Sequence, residues 1–231
     1  MNIAIIPARG GSKRIPKKNI KDFLGKPIIS YSIVSAINSG LFDEVMVSTD
    51  SDEIADIAKK FGATVPFLRN AKTSDDFATT SDVILEVLGD YSKRGKFFDY
   101  LCCIYPTAPF VTVKKLKKAF DKLKEQNVDA VVPLVPFTFP PLRGHIVENN
   151  FAKLKWPENL NKRSQDLETM YHDCGQFYCL RTQAFLQEKT LFCKNTVPLI
   201  LSELEVQDID NEIDWELAEM KFRLMDECNL V

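Results

Sequence analysis

Apolar positions along this chain alternate between two spacings for its first 133 residues. Ile3 to Ile6 is a short apolar run that reads as a buried strand. From Pro27 to Gly40 the spacing lengthens, and Ile28, Tyr31, Ile33, Val34 and Ile37 predict the apolar face of a helix that Gly40 closes. Glu44–Ser48 is a second strand. Ser51-Asp52-Glu53 then opens a helix with an oxygen-bearing cap and an acidic first turn, turning Ile54, Ile57, Ala58 and Phe61 inward before Gly62. Ala63–Leu68 predicts a third strand and 69–78 a polar loop. Val83, Ile84, Val87 and Leu88 predict a helix over 80–91. Tyr100–Ile104 is a fully apolar strand, 113–126 a helix, and 130–135 a further strand. Repeated strand–helix units of this size predict an α/β fold with right-handed crossovers and a mostly parallel sheet.

The rhythm breaks over 136–171, which is rich in proline and has little helical period. So long an irregular stretch is unusual inside a compact domain. Phe137, Phe139, Leu142, Ile146, Val147, Phe151, Leu154 and Trp156 make it too apolar for a disordered linker. It reads as an inserted arm of short strands, within a single domain spanning 1–231, that buries its apolar side against another subunit. The core pattern resumes at Gly175–Leu180 and finishes with Val206–Asp210 and a last helix to about residue 226.

The first strand runs directly into Ala8-Arg9-Gly10-Gly11-Ser12-Lys13-Arg14-Ile15-Pro16-Lys17-Lys18-Asn19. Glycines let backbone N–H groups curl around an anion, and the five cations supply charge to hold a polyphosphate. A loop at the carboxyl edge of a parallel sheet is where α/β folds bind ligands. The spacing matches neither a Walker loop nor a dinucleotide fingerprint. A basic surface turn or a nucleic-acid patch is the blander reading, against which stands the apolar strand abutting the loop.

Composition narrows the classes. With 231 residues, 45% apolar, and a net charge of −2, the chain lacks the basic surface of a general nucleic-acid binder, so no nucleic-acid partner is expected. Six scattered cysteines without C-x-x-C spacing fit buried thiols in a reducing compartment. Arg9 interrupts the opening apolar run too early for a secretory signal, and no uncharged run approaches the ~18 residues of a membrane helix. A soluble, cytoplasmic protein is expected.

Asp208 and Asp210 flank the apolar Ile209, so on an extended segment both carboxylates face one way, as a hard oxygen site for Mg²⁺ would require. Alternatively, Asp210 merely caps the helix beginning at Asn211. His172 lies beside Asp173, which could orient its imidazole, but no Ser or Cys nucleophile context accompanies it. Cys174 reads as structural. Arg69, Arg143, Lys155 and Arg163 are loop cations with no assigned role on composition alone.

Taken together, Ile5 to Asn19, Val47-Ser48-Thr49-Asp50-Ser51-Asp52-Glu53-Ile54-Ala55, Arg69, Pro106-Thr107-Ala108-Pro109 and Asp208-Ile209-Asp210 occur in an order and spacing that resemble the cytidylyltransferases that activate acidic sugars, the CMP-sialic acid synthetase family. The resemblance implies a three-layer, Rossmann-like nucleotidyltransferase fold with a protruding dimerisation arm over 136–171, and Mg²⁺-dependent transfer of CMP from CTP to a nine-carbon acidic sugar, with release of pyrophosphate. It further implies a nucleotide site of Ala8, Arg9, Gly10, Gly11, Ser12, Lys13, Lys18, Asn19, Arg69 and Thr80, and a metal pair of Asp208 and Asp210. Arg9, Lys18, Asp208 and Asp210 carry the catalysis in this reading. Sugar positions would be Tyr105, Arg143, Arg163 and Tyr178, with the arm swapped across a homodimer.

The family typically has Gln where this chain has Tyr105, and Leu-Arg where it has Phe110-Val111. An aromatic wall favours a less hydroxylated sugar, because extra hydroxyls are left unpaired. The stretches Arg163–Leu167, Tyr171–Asp173, Gly175–Tyr178 and Gln207–Trp215 look most like the branch acting on pseudaminic acid, a deoxygenated diacetamido sugar of bacterial flagella and surface glycans. Sialic, legionaminic and eight-carbon octulosonic acids are the alternatives, with a non-catalytic nucleotide-binding protein a more distant one. No residue is marked as the general base.

Overall fold

A computed structural model describes residues 1–227. In chain order the elements are β1 (Asn2–Pro7), β2 (Asp22–Phe23), β3 (Lys26–Pro27), α1 (Ile29–Ser39), β4 (Glu44–Ser48), α2 (Asp52–Lys60), α3 (Ala71–Ser74), α4 (Thr80–Lys93), β5 (Tyr100–Ile104) and α5 (Val113–Glu125). They continue with β6 (Ala130–Pro136), β7 (His145–Glu148), β8 (Phe151–Leu154), β9 (Tyr171–Asp173), β10 (Phe177–Arg181), α6 (Thr182–Glu188), β11 (Thr196–Ile200) and α7 (Glu212–Glu227).

The central sheet has the order β11-β6-β10-β5-β1-β4, with β9 paired to the end of β6. Pairs β1–β4, β1–β5 and β6–β11 are parallel; β10 runs antiparallel between β5 and β6. Strand alternation divides the core into two layers, because successive side chains leave opposite faces. Ala4, Ile6, Cys102, Ile104 and Val131 pack with α1, α2 and α5, while Ile3, Ile5, Leu101, Cys103 and Val132 pack with α4 and α6. A third cluster, centred on Phe23, Phe110, Ile209 and Trp215, seats α7 against the β2–β3 turn. This is the three-layer, mostly parallel α/β arrangement expected.

Several expectations are corrected. Ala63–Leu68 is not a strand: Thr64 alone bridges Met46, and Pro66 carries no N–H to extend the ladder. On α1, Val34 and Ile37 are each 40% exposed, and small residues such as Ser32 and Ala36 face the core instead. Helix α6 and strand β11 went unpredicted. β11 is short and mostly half-exposed, and Pro198 interrupts its apolar run. Within the arm, the short strands expected from its sequence are present: β7 and β8 form a two-stranded hairpin of mostly exposed residues.

The five cysteines among the described residues are buried and free. Cys102 and Cys179 sulfurs, on neighbouring strands, sit 3.2 Å apart as thiols in contact.

Candidate active site

The carboxyl ends of β1 and β5 converge on one cavity of about 330 Å³. The loop after β1 borders it with Arg9, Ser12, Lys13, Arg14, Lys18 and Asn19; Arg69, Thr80 and Tyr105 complete the wall. Pro7, Ala78 and Val83 give part of the cavity an apolar lining.

The loop is held from below. Gly10 N–H donates to Asp50 Oδ1 at 2.8 Å, and a Cβ on Gly10 would press to 3.3 Å from the Ser51 Cβ, so glycine permits the approach. Asn19, 6% exposed, donates its side-chain amide to Arg9 O at 2.8 Å, and Ile15 anchors the turn in the α7 cluster. Ala8, Gly10 and Gly11 do not line the cavity. The Ala8 N–H is committed to Ser48 O, so that residue is part of the scaffold beneath the loop.

The cations of the loop share carboxylate partners, two on Asp76 and two on Asp210. Arg9 Nη1 donates to Asp76 Oδ1 at 2.8 Å, and Lys13 pairs with the other oxygen of the same carboxylate. Both bonds hold the Asp76 carboxyl below its usual range. Arg14 reaches Asp210 at 2.8 Å. Lys18 donates to Ile209 O at 2.6 Å with Asp210 Oδ1 3.9 Å away, and burial lowers its pKa. Lys17 turns from the cavity to Glu53 on α2. Four of the five cations therefore converge.

Arg69, 8% exposed, is buried against the end of β4, with Nε donating to Ser48 Oγ at 3.0 Å. Its guanidinium makes no ion pair among the described residues, and desolvation lowers its pKa. A buried cation with no carboxylate in direct contact suits an anionic or carbonyl-bearing ligand. Thr80 opens α4 behind a complete capping box of Thr79 and Asp82, which fixes the first turn at the cavity wall.

A second cavity, about 440 Å³, adjoins the segment before α7 and is lined by Asp173, Asp208, Asp210, His172 and Lys221, among others. Ile209 is buried, so Asp208 and Asp210 do project to the same side. Capping falls to other residues: Asp214 Oδ2 accepts from the N–H groups of Asp210 and Asn211, and Asn211 Oδ1 accepts from Asp214 N–H. This reciprocal box leaves the Asp210 carboxylate outside the cap, against the alternative reading. Partial burial and then the charge of Asp210 raise the pKa of Asp208. Gly175, at φ +59°, lies under this carboxylate, and a Cβ there would stand 3.7 Å from Asp208 Oδ1. Two carboxylates under mutual repulsion, with room beside them, fit a divalent cation that takes its remaining oxygens from phosphate and water.

His172 does not pair with the Asp173 carboxylate; its Nδ1 meets the Asp173 carbonyl oxygen. That carboxylate instead accepts from the buried Tyr178 hydroxyl at 2.5 Å. Cys174 is buried and its thiol is pushed up to about 12, which fits a structural residue. Arg143 and Arg163 lie on the exposed arm and line neither cavity; Arg163 pairs with Asp166 at 3.1 Å. Asp50, Asp76 and Asp173 were not expected at the site. The adjacent carboxylates in the 69–78 loop were the one sequence signal for Asp76.

A three-layer sheet with a cation-bearing loop at its carboxyl edge has the architecture of a nucleotidyltransferase. Residues 3–224 match the protein family described as Cytidylyltransferase, and the chain belongs to that family. It is 41% identical over 224 residues to the pseudaminic acid cytidylyltransferase of Campylobacter jejuni, covering 96% of this chain and 97% of that one. It is 36% identical to the CMP-N,N'-diacetyllegionaminic acid synthase of Legionella pneumophila, covering 98% of each. In fold it resembles a solved CMP:2-keto-3-deoxy-manno-octonic acid synthetase complexed with CTP, with a TM-score of 0.68 at 16% identity, over 98% of this chain and 99% of that one. The chain is therefore a nucleotidyltransferase, as its sequence implied. No described helix is long and apolar enough to cross a membrane.

Proposed function

We propose that this enzyme transfers CMP from CTP to the anomeric hydroxyl of a nine-carbon acidic sugar, pseudaminic acid, and releases pyrophosphate. The observation that carries the reading is the meeting of Arg9, Lys13, Arg14 and Lys18 with the Asp208–Asp210 pair through Arg14 and Lys18. Phosphate-holding cations and metal-type carboxylates thus share one boundary. The pseudaminic acid assignment draws support from the 41% identical relative and from Tyr105, whose ring packs edge-on against Tyr178 with centroids 5.6 Å apart. Legionaminic acid is the second reading, because a relative of that name is 36% identical.

In this mechanism Arg9, Ser12, Lys13, Lys18 and Asn19 grip the triphosphate, while Arg69 and Thr80 meet the nucleoside. CTP displaces Asp76 from Arg9 and Lys13 as it binds. Asp208 and Asp210 would hold Mg²⁺, which when bound neutralises charge on the phosphates. The sugar hydroxyl attacks the α-phosphorus in line with departing pyrophosphate, and the chain chiefly orients the two reactants.

The arm, 136–171, serves as the dimerisation element. Phe139, Val147 and Phe151 are 84%, 73% and 71% exposed on a single chain, more apolar surface than a free arm would show. Arg143 and Arg163, remote from both cavities of their own chain, then suit the sugar carboxylate of a partner's site. CTP as substrate makes the cytoplasm the place of action.

The deciding experiment incubates the enzyme with CTP and, separately, pseudaminic, legionaminic, sialic and octulosonic acids, reading pyrophosphate. Pseudaminic acid should give the highest kcat/KM. Faster turnover of another acid would reassign the sugar, and no turnover of any would remove the sugar reading altogether.

A further inference from the structure

One wall of the carboxylate cavity has no part in the mechanism so far. Strand β9 pairs antiparallel with the end of β6, which sets His172 opposite Val135 and on the lining of the cavity that holds Asp208 and Asp210. The Phe137 ring lies against the imidazole, with centroids 4.8 Å apart and planes at 52°. Nδ1 meets the Asp173 carbonyl oxygen at 2.9 Å. A ring contact and a hydrogen bond thus hold a side chain that is otherwise exposed.

That hydrogen bond decides the tautomer. A carbonyl oxygen only accepts, so Nδ1 carries the proton of the neutral imidazole. Nε2 keeps its lone pair and has no protein partner among the described residues. A histidine tied through Nδ1–H to a backbone carbonyl offers Nε2 as a base.

The other titratable groups around the cavity are Asp173, Glu203, Asp208, Asp210, Asp214 and Lys221. Most are engaged. Asp173 accepts from the Tyr178 hydroxyl and the Gly175 N–H, and Asp214 caps α7. Lys221 donates to the carbonyl oxygens of Glu203 and Val206. Asp208 and Asp210 are the metal pair of the reading above. Glu203, in the turn before them, is the remaining competitor. As a class, imidazole titrates nearer neutral pH than a carboxylate does, which favours it as a base.

We propose that His172 is the general base of the transfer, taking the proton of the sugar's anomeric hydroxyl at Nε2. The inference rests on the transferase reading. With nucleotide in the first cavity, and Asp210 tied to Arg14 and Lys18 of that cavity, the acceptor sugar enters the second. As the sugar oxygen bonds to the α-phosphorus, the electron pair of its O–H bond stays with oxygen and the proton moves to Nε2. The bond from the α-phosphorus to the bridging oxygen breaks, and pyrophosphate leaves with that electron pair. The imidazolium then returns its proton to water.

His172→Gln and His172→Ala, assayed with CTP and the acid that wild type turns over fastest, test this. Both should lose about 10²-fold or more in kcat, the scale of general-base catalysis, while calorimetric CTP binding and melting temperature stay near wild type. The acid-side limb of kcat against pH that the imidazole produces should vanish in both, leaving only that of the carboxylates. Added imidazole should restore His172→Ala several-fold and saturably, a rescue that a purely structural histidine does not allow. Should one variant fail to fold, the other carries the test. Near wild-type kcat in either folded variant would overturn the proposal, as would an acid limb that persists in both and vanishes in Glu203→Gln. Wild type idle with every acidic sugar would overturn the transferase reading and this proposal with it. An active wild type beside an unimpaired variant overturns this proposal alone.

Discussion

Asp208 and Asp210 differ in their surroundings although one residue separates them. Arg14 pairs with Asp210, whereas Asp208 is partly buried beside a like charge and its pKa is raised. As pH rises through the ordinary carboxylate range, the unfolded chain ionises Asp208 before the folded one does. The fold is thus penalised above that range, and the penalty is absent at lower pH. Asp208→Asn should therefore raise the melting temperature at neutral pH, and more so than at pH 4, while lowering kcat by about 10²-fold or more. Asp210→Asn should abolish turnover at least as completely. Full activity of both variants at limiting Mg²⁺ would disprove the metal assignment. At the loop, Arg9→Ala should weaken CTP binding by about tenfold, the scale of one charge-assisted bond to phosphate, with the loss shrinking as salt is added. Isothermal titration at two ionic strengths reads both effects.

Helix α7 owes its start to the reciprocal bonds of Asn211 and Asp214, and the same bonds fix the backbone of Asp210. Asn211→Ala should cost about 1 kcal/mol of stability, the usual loss of a cap, measurable by urea unfolding. Because Asp214 would still hold the Asp210 N–H, the apparent Mg²⁺ requirement should rise while saturating activity is largely retained. Loss of activity at every Mg²⁺ concentration would place Asn211 itself in the reaction. How far the elements were legible depended on local signals. β1, β4, β5 and α2 were readable because burial and period coincide in them, and Ser51 caps α2 as expected. Ala63–Leu68 misled because its apolar residues pack at the sheet margin without a ladder, and β11 escaped because a proline interrupts it.

For the whole molecule, the open question is how the exposed arm is used. If two copies exchange arms about a two-fold axis, each site draws Arg163 from its neighbour. Mixing an Arg163→Ala subunit with an Asp210→Asn subunit should then restore about half of wild-type activity per hybrid dimer, since one of its two sites is intact. Light scattering should give a dimer. A fully active monomer, or no recovery on mixing after subunit exchange, would return the arm to its own chain.

The sequence alone determined the alternation of strand and helix, the cationic glycine-bearing loop at the end of β1, and the common orientation of Asp208 and Asp210. These follow from periodicity, backbone freedom and the two-residue repeat of extended chain, all local properties. Only the tertiary structure decided which groups face one another across it: Asp76 on Arg9 and Lys13, Arg14 on Asp210, and Asp173 on Tyr178 in place of His172. Arg9 and Asp76 are 67 positions apart, and their pairing depends on where two loops emerge from the same sheet edge. Hydrogen bonds and ion pairs act over a few ångströms of space, so partners distant in sequence become visible only once the sheet has set the strand order.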